Sequence, residues 1–213
     1  MTTPDHQSPP PDASRPESKD RIYRSPSGIA GGVLLLAIAL WLGIDALISG
    51  SGRTPWLALA SLILLVPLVS AFTLRPAVFA NEDRLRIRNP FRVVVLPWSS
   101  VVSLRSGYSN EVVTPSGTKY QLWAVPVSLR ARKSAARRQA RGTAAESGGD
   151  TSAVGTRPGR AQTDQIMDDL RELAEARGKA ESAQGEPSVR WAYEIVGPAV
   201  AGAIVLAILL AVG

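Results

Sequence analysis

The chain has 213 residues, no cysteine, a single histidine and a formal net charge of +6. Without cysteine there are no disulfides, thiol nucleophiles or thiolate metal sites, and with His6 as the sole imidazole, Ser–His chemistry and nitrogen-ligated zinc lack their residues. The composition points away from an enzyme, and no cofactor and no metal are expected.

Residues 1–27 are rich in Pro, Ser and charge, including Pro9-Pro10-Pro11, and read as a disordered tail. Two apolar runs follow, 28–48 and 55–74, joined by a short loop whose one charge is Arg53. Each holds roughly 20 residues, and at ~1.5 Å per residue that matches a hydrocarbon core of ~30 Å. A transmembrane hairpin is expected over 28–74. Gly28 and Gly32 are spaced as a helix-packing pair that lets another helix approach closely. Asp45 reads as a solvated interfacial carboxylate, and Pro67 predicts a kink in the second span.

Between Arg75 and Pro126 the pattern changes from continuous apolarity to short alternation. Ala77–Ala80 reads as a strand and Asn81-Glu82-Asp83 as a turn. Arg84-Leu85-Arg86-Ile87-Arg88 alternates strictly, which places Leu85 and Ile87 on a core face and three arginines on the other. Asn89-Pro90 is a second turn, and the β-branched run 91–96 another strand. Pro97-Trp98-Ser99-Ser100 breaks it, and 101–104 resumes extended structure. A hairpin through Pro115-Ser116-Gly117 joins Glu111–Val113 to Lys119–Trp123. Five or six short strands with tight turns predict an antiparallel sandwich or half-open barrel. Trp98 is expected as a core plug at a strand corner.

The residues Arg75, Pro76, Leu85, Ile87, Asn89, Pro90, Pro97, Trp98, Val101, Gly117 and Leu122 occur in an order that resembles the bacterial pleckstrin-homology (PH)-like domains of actinobacterial membrane proteins. The similarity is greatest to the PH domain of the low-molecular-weight protein antigen 6 family, with Pro97-Trp98-Ser99-x-Val101 its most specific element. The resemblance implies a PH-like β sandwich flanked by spans and implies little about activity, since fold alone does not give function.

About 50 foldable residues are marginal for an independent core, so a helix, the membrane or a partner is expected to complete this module. Residues 127–141 carry Arg130, Arg132, Lys133, Arg137, Arg138 and Arg141 with no acidic residue and read as a basic helix. Arg130, Lys133, Arg137 and Arg141 fall on one helical stripe. Residues 142–162 read as a flexible linker. Residues 163–181 read as an amphipathic helix with Ile166, Leu170, Leu173 and Ala174 on one face and Asp164 capping its start. The third apolar run, 191–213, is a further span with Glu194 near its beginning.

The fold expected is thus three transmembrane helices plus a small all-β PH-like module with an associated C-terminal helix. Every Lys and Arg beyond the second span lies between Arg75 and Arg190, which places the N-terminus and the module on the cytoplasmic side of a cell membrane and the C-terminus outside. Arg84, Arg86 and Arg88, together with Arg130, Lys133, Arg137, Arg138 and Arg141, are the candidate contacts to anionic inner-leaflet lipid or to a membrane-protein partner. Near a charged leaflet each basic residue contributes about 1 kcal/mol. Nucleic acid is disfavoured because aromatic stacking residues are not interleaved with the charges. The functional expectation is a membrane-anchored scaffold or adaptor. The alternative is an accessory subunit of a membrane complex assembled through its spans, with Gly28 and Gly32 as one seam and homo-oligomers as one outcome.

Overall fold

A computed structural model of the protein describes residues 18–125 and 158–212. Helices α1 (Pro26–Ser49) and α2 (Thr54–Thr73) form an antiparallel hairpin, α3 spans Pro158–Arg177, and α4 spans Tyr193–Ala211. Of these, α1, α2 and α4 are long and apolar enough to cross a membrane. Ser25 caps α1 by accepting from the Gly28 amide at 3.2 Å, and Pro26 occupies the first turn, where its missing N–H costs nothing. Residue Gly52 turns the hairpin with φ of 60°, and α2 runs continuously through Pro67.

Among the described residues, eight strands make two antiparallel sheets. They are β1 (Arg21–Tyr23), β2 (Ala77–Ala80), β3 (Arg84–Arg88), β4 (Arg92–Pro97), β5 (Ser103–Ser106), β6 (Asn110–Val113), β7 (Lys119–Gln121) and β8 (Ser188–Trp191). The first sheet has the order β1-β2-β3-β4-β8 and the second β5-β6-β7. Leu85 and Ile87 of β3 are fully buried while Arg84, Arg86 and Arg88, which alternate with them, lie on the other face, as the alternation requires.

One core joins both sheets and α3. Val78, Leu85, Leu96, Val112 and Leu122 meet Met167 and Leu170 of the helix. Trp98 sits in a one-turn 3-10 helix at the corner after β4, is 1% exposed, and donates from Nε1 to the Asn81 carbonyl at 2.8 Å. The helix thus completes a core that the strands alone leave open. It is fastened by Arg177 to Glu82 and by the Tyr23 hydroxyl, which donates to Asp169 at 3.4 Å.

Three boundaries depart from expectation. The tail expected over 1–27 ends in a strand, because Arg21, Ile22 and Tyr23 pair with Ala80, Phe79 and Val78 and satisfy the free edge of β2. The third span does not begin at Trp191. That residue closes β8 opposite Arg92, and the ladder continues through the Ala192 amide to the Phe91 carbonyl at 2.9 Å before α4 starts. The linker expected over 142–162 gives way at Pro158 to α3, and Asp164 therefore lies inside the helix rather than capping it. The basic helix expected over 127–141, with Arg130, Lys133, Arg137, Arg138 and Arg141, lies outside the described residues.

Candidate functional site

The site is set by how the spans join the sheet. Between β1 and α1 stand only Arg24 and Ser25, between α2 and β2 only Leu74, Arg75 and Pro76, and between β8 and α4 only Ala192. The hairpin is thus inserted between the first two strands of the sandwich. All three junctions lie at one end of the five-stranded sheet, because β1 and β8 run toward the spans and β2 runs away from them. Connections of one to three residues leave little freedom between domain and bundle.

Register decides which arginines reach that end. Arg88 pairs with Ala77, the first residue after the α2 junction, and Arg92 pairs with Trp191, the last before α4. Arg24 and Arg75 occupy the junctions themselves. The Arg75 guanidinium reaches Glu194 at 3.0 Å, and its side chain is 14% exposed. Its Nε is buried and has no acceptor among the described residues. Burial lowers the pKa of Arg88, and the nearby cations Arg75, Arg86 and Arg24 lower it further against the opposing pull of Glu194. Four arginines with one paired carboxylate leave this end strongly positive.

The arginine strip read from the sequence is divided. Arg86 is ion-paired with Asp20 at 2.8 Å and lies 4.3 Å from the centre of the Phe79 ring. Arg84 pairs in register with Pro97 at the opposite end of β3, roughly 13 Å of strand from Arg88 at ~3.3 Å per residue. Only Arg88 of the three joins the span-proximal cluster. Arg24 and Arg92 were not singled out from the sequence, and Arg75 entered only among the residues that carry the resemblance. The available signal was position, since Arg75 directly follows an apolar run and Arg24 stands four residues before one.

Aromatic rings share this end. Phe72, in the last turn of α2, meets Phe91 edge-on at 5.3 Å and Trp123 at 5.6 Å, and Trp123 Nε1 donates to the Phe72 carbonyl at 3.3 Å. The Arg92 guanidinium lies 5.2 Å from the Trp191 ring. Indole rings next to apolar spans favour the membrane–water interface.

The two glycines expected to pack helices act within the chain. A Cβ on Gly32 would collide with the Thr73 side chain, so this glycine lets α1 approach α2. A Cβ on Gly28 would meet its own cap residue, Ser25, at 3.2 Å. A contact the sequence did not suggest is Gly202 of α4, where a Cβ would lie 2.6 Å from the Leu64 amide nitrogen of α2.

A family model described as a bacterial PH domain matches residues 75–149. No curated protein and no solved structure matches the chain. The match covers β2 to β7 and ends before α3, so β1, β8 and the core-completing helix lie outside it.

Proposed function

Since the chain carries a bacterial PH-like domain joined to candidate membrane spans, we propose that it is a non-enzymatic membrane scaffold that holds this domain against an anionic leaflet. The observation that carries this reading is the set of three junctions of one to three residues, with Arg24, Arg75, Arg88 and Arg92 gathered at the same end. Such connections set the sheet end at headgroup depth, where basic side chains gain about 1 kcal/mol each from an anionic surface. The distribution of Lys and Arg supports a cytoplasmic position for this side. The surfaces turned away from the spans are then offered to a protein partner, in keeping with the lipid- and protein-binding roles common among PH domains. The accessory-subunit alternative loses one of its supports, since Gly32 packs against Thr73 of the same chain.

Hydrogen–deuterium exchange of the full chain in nanodiscs tests the leaflet contact. Exchange across 88–92 is expected to slow when phosphatidylglycerol replaces part of the phosphatidylcholine. The slowing is expected to vanish in the Arg24→Gln/Arg88→Gln double variant. Identical exchange in both lipids would remove the basis for the reading.

A further inference from the structure

The two sides of the domain differ in chemistry. Sheet order puts β1 on one side and β8 on the other, four strand spacings or roughly 19 Å apart. Helix α3 stands on the β1 side, where Asp169 accepts from the Tyr23 hydroxyl and Arg177 pairs with Glu82. It shows Glu172 and Glu175 to solvent, while its arginines are engaged, Arg171 by Asp168 and Arg177 by Glu82. Lys179 falls past the end of the helix. On the other side β8 is exposed along its whole length and shows Arg190 beside Val189 and Trp191. We infer that the acidic α3 side of one copy docks on the basic and apolar β8 side of a second copy in the same membrane. The inference goes beyond the leaflet reading, since Arg24, Arg75 and Arg88 take no part in the contact.

The sides fit in level, in surface and in the spans below them. One cross-strand row runs through Tyr23, Val78, Ile87, Val94 and Val189, and Tyr23 holds the middle of α3. The carboxylates of α3 therefore stand at about the height of β8. Each side also leaves an apolar side chain in water that the contact would cover, Ile22 at 57% exposure beside α3 and Trp191 at 54% on β8. Below them, α2 lies between α1 and α4, so the α4 of one copy would meet the α1 of the next. A Cβ on Gly31 or on Gly197 would meet nothing within 4 Å. These two glycines lie at matching depth, each roughly 6–8 Å into its helix, and leave room for close approach. A cleft of about 370 Å³ beside β7 takes no lining residue from β1, β8 or α3, so docking leaves it open.

The contact joins unlike surfaces. Each docked copy still offers one free side of each kind, so the assembly extends as a row or closes as a ring in the membrane plane. A two-fold pair of like sides would instead set Arg190 against Arg190 or Glu172 against Glu172, which like-charge repulsion disfavours.

The chain has no cysteine, so introduced thiols test this directly. Ala176→Cys and Ser188→Cys, both at exposed positions, are placed on separately tagged full-length copies produced together. Their membranes are then treated with a short thiol-to-thiol crosslinker. A dimer carrying both tags is expected. A chain bearing both cysteines should give a series of multiples, because the two thiols lie across the sheet from each other within one copy. Adding Glu172→Lys/Glu175→Lys to the first copy should cut the mixed dimer about tenfold, and adding Arg190→Glu to the second should restore it. Melting temperatures equal to the parent's tie any loss of product to the contact and not to the fold. Absence of the mixed dimer, indifference to the charge reversals, or equally abundant dimers from either single-cysteine copy alone would overturn the inference. None of these results bears on the leaflet contact, whose variants are at Arg24 and Arg88.

Discussion

Tyr23 shows how much one side chain can couple. It lies in the last position of β1, packs against the shared core, and donates to Asp169, 146 positions away on α3. Burial raises its pKa, and the Asp169 charge raises it further, since both oppose a phenolate. A raised folded pKa means that the neutral form is favoured by the fold. The stability gained is complete below the ordinary tyrosine value of about 10 and is lost as pH rises through the higher folded value. Thermal unfolding of the detergent-solubilised chain from about pH 8 to about pH 11 is therefore expected to fall more steeply for the parent than for Tyr23→Phe. Parallel curves would show that the phenol is not coupled to folding. The role of Tyr23 was not legible beforehand, because a three-residue strand has no measurable period and its partner is distant in sequence. Trp98 was legible: a tryptophan after Pro97 at a strand break has few places to go but a corner of the core, where its N–H still needs an acceptor.

Among elements, α2 is the hub of the bundle, packed between α1 and α4. Its neighbours approach through glycines, Gly32 facing Thr73, Gly43 facing Leu62 and Gly202 facing the Leu64 backbone. The Gly202 contact is the least forgiving, because the obstructing atoms belong to backbone and cannot rotate away. Gly202→Ala is expected to destabilise the full chain by about 1–3 kcal/mol, the usual cost of overpacking, whereas Gly197→Ala, with nothing within 4 Å, should be near neutral. Melting temperatures of the two variants in the same detergent check this, and equal losses would mean that α4 does not pack as described. The span segments were readable from apolarity alone, which is a long, redundant signal. Which glycine faces which helix was not, since uniformly apolar helices carry no amphipathic stripe to mark the contact side. The α3 face was read nearly correctly: Leu170 is central, and Met167 is buried more deeply than the expected Ile166.

For the whole molecule, the insertion of α1 and α2 between β1 and β2, and the exit of β8 directly into α4, make membrane bundle and sandwich one construction. The proposed orientation follows from charge and is open to a direct test, because the chain has no cysteine and any introduced thiol is unique. In intact cells, Ser51→Cys in the α1–α2 loop is expected to react with a membrane-impermeant maleimide. Ser116→Cys in the β6–β7 turn is expected to react only after permeabilisation. The reverse pattern would invert the topology and move the arginine end to the outer leaflet.

The sequence by itself determined the three spans, the strand-rich module between them, its PH-like character and the amphipathic helix. Each of these rests on a local period or on a motif carried by neighbouring residues. Only the tertiary structure decided that Arg21–Tyr23 and Ser188–Trp191 extend the sheet, that Arg88 gathers with Arg24 and Arg75 while Arg86 is held by Asp20, and that a cleft opens beside β7. The reason is physical. Strand pairing and charge clustering join residues far apart in the chain, and their register is set by which free edges and junctions meet in space, a relation that no local pattern encodes.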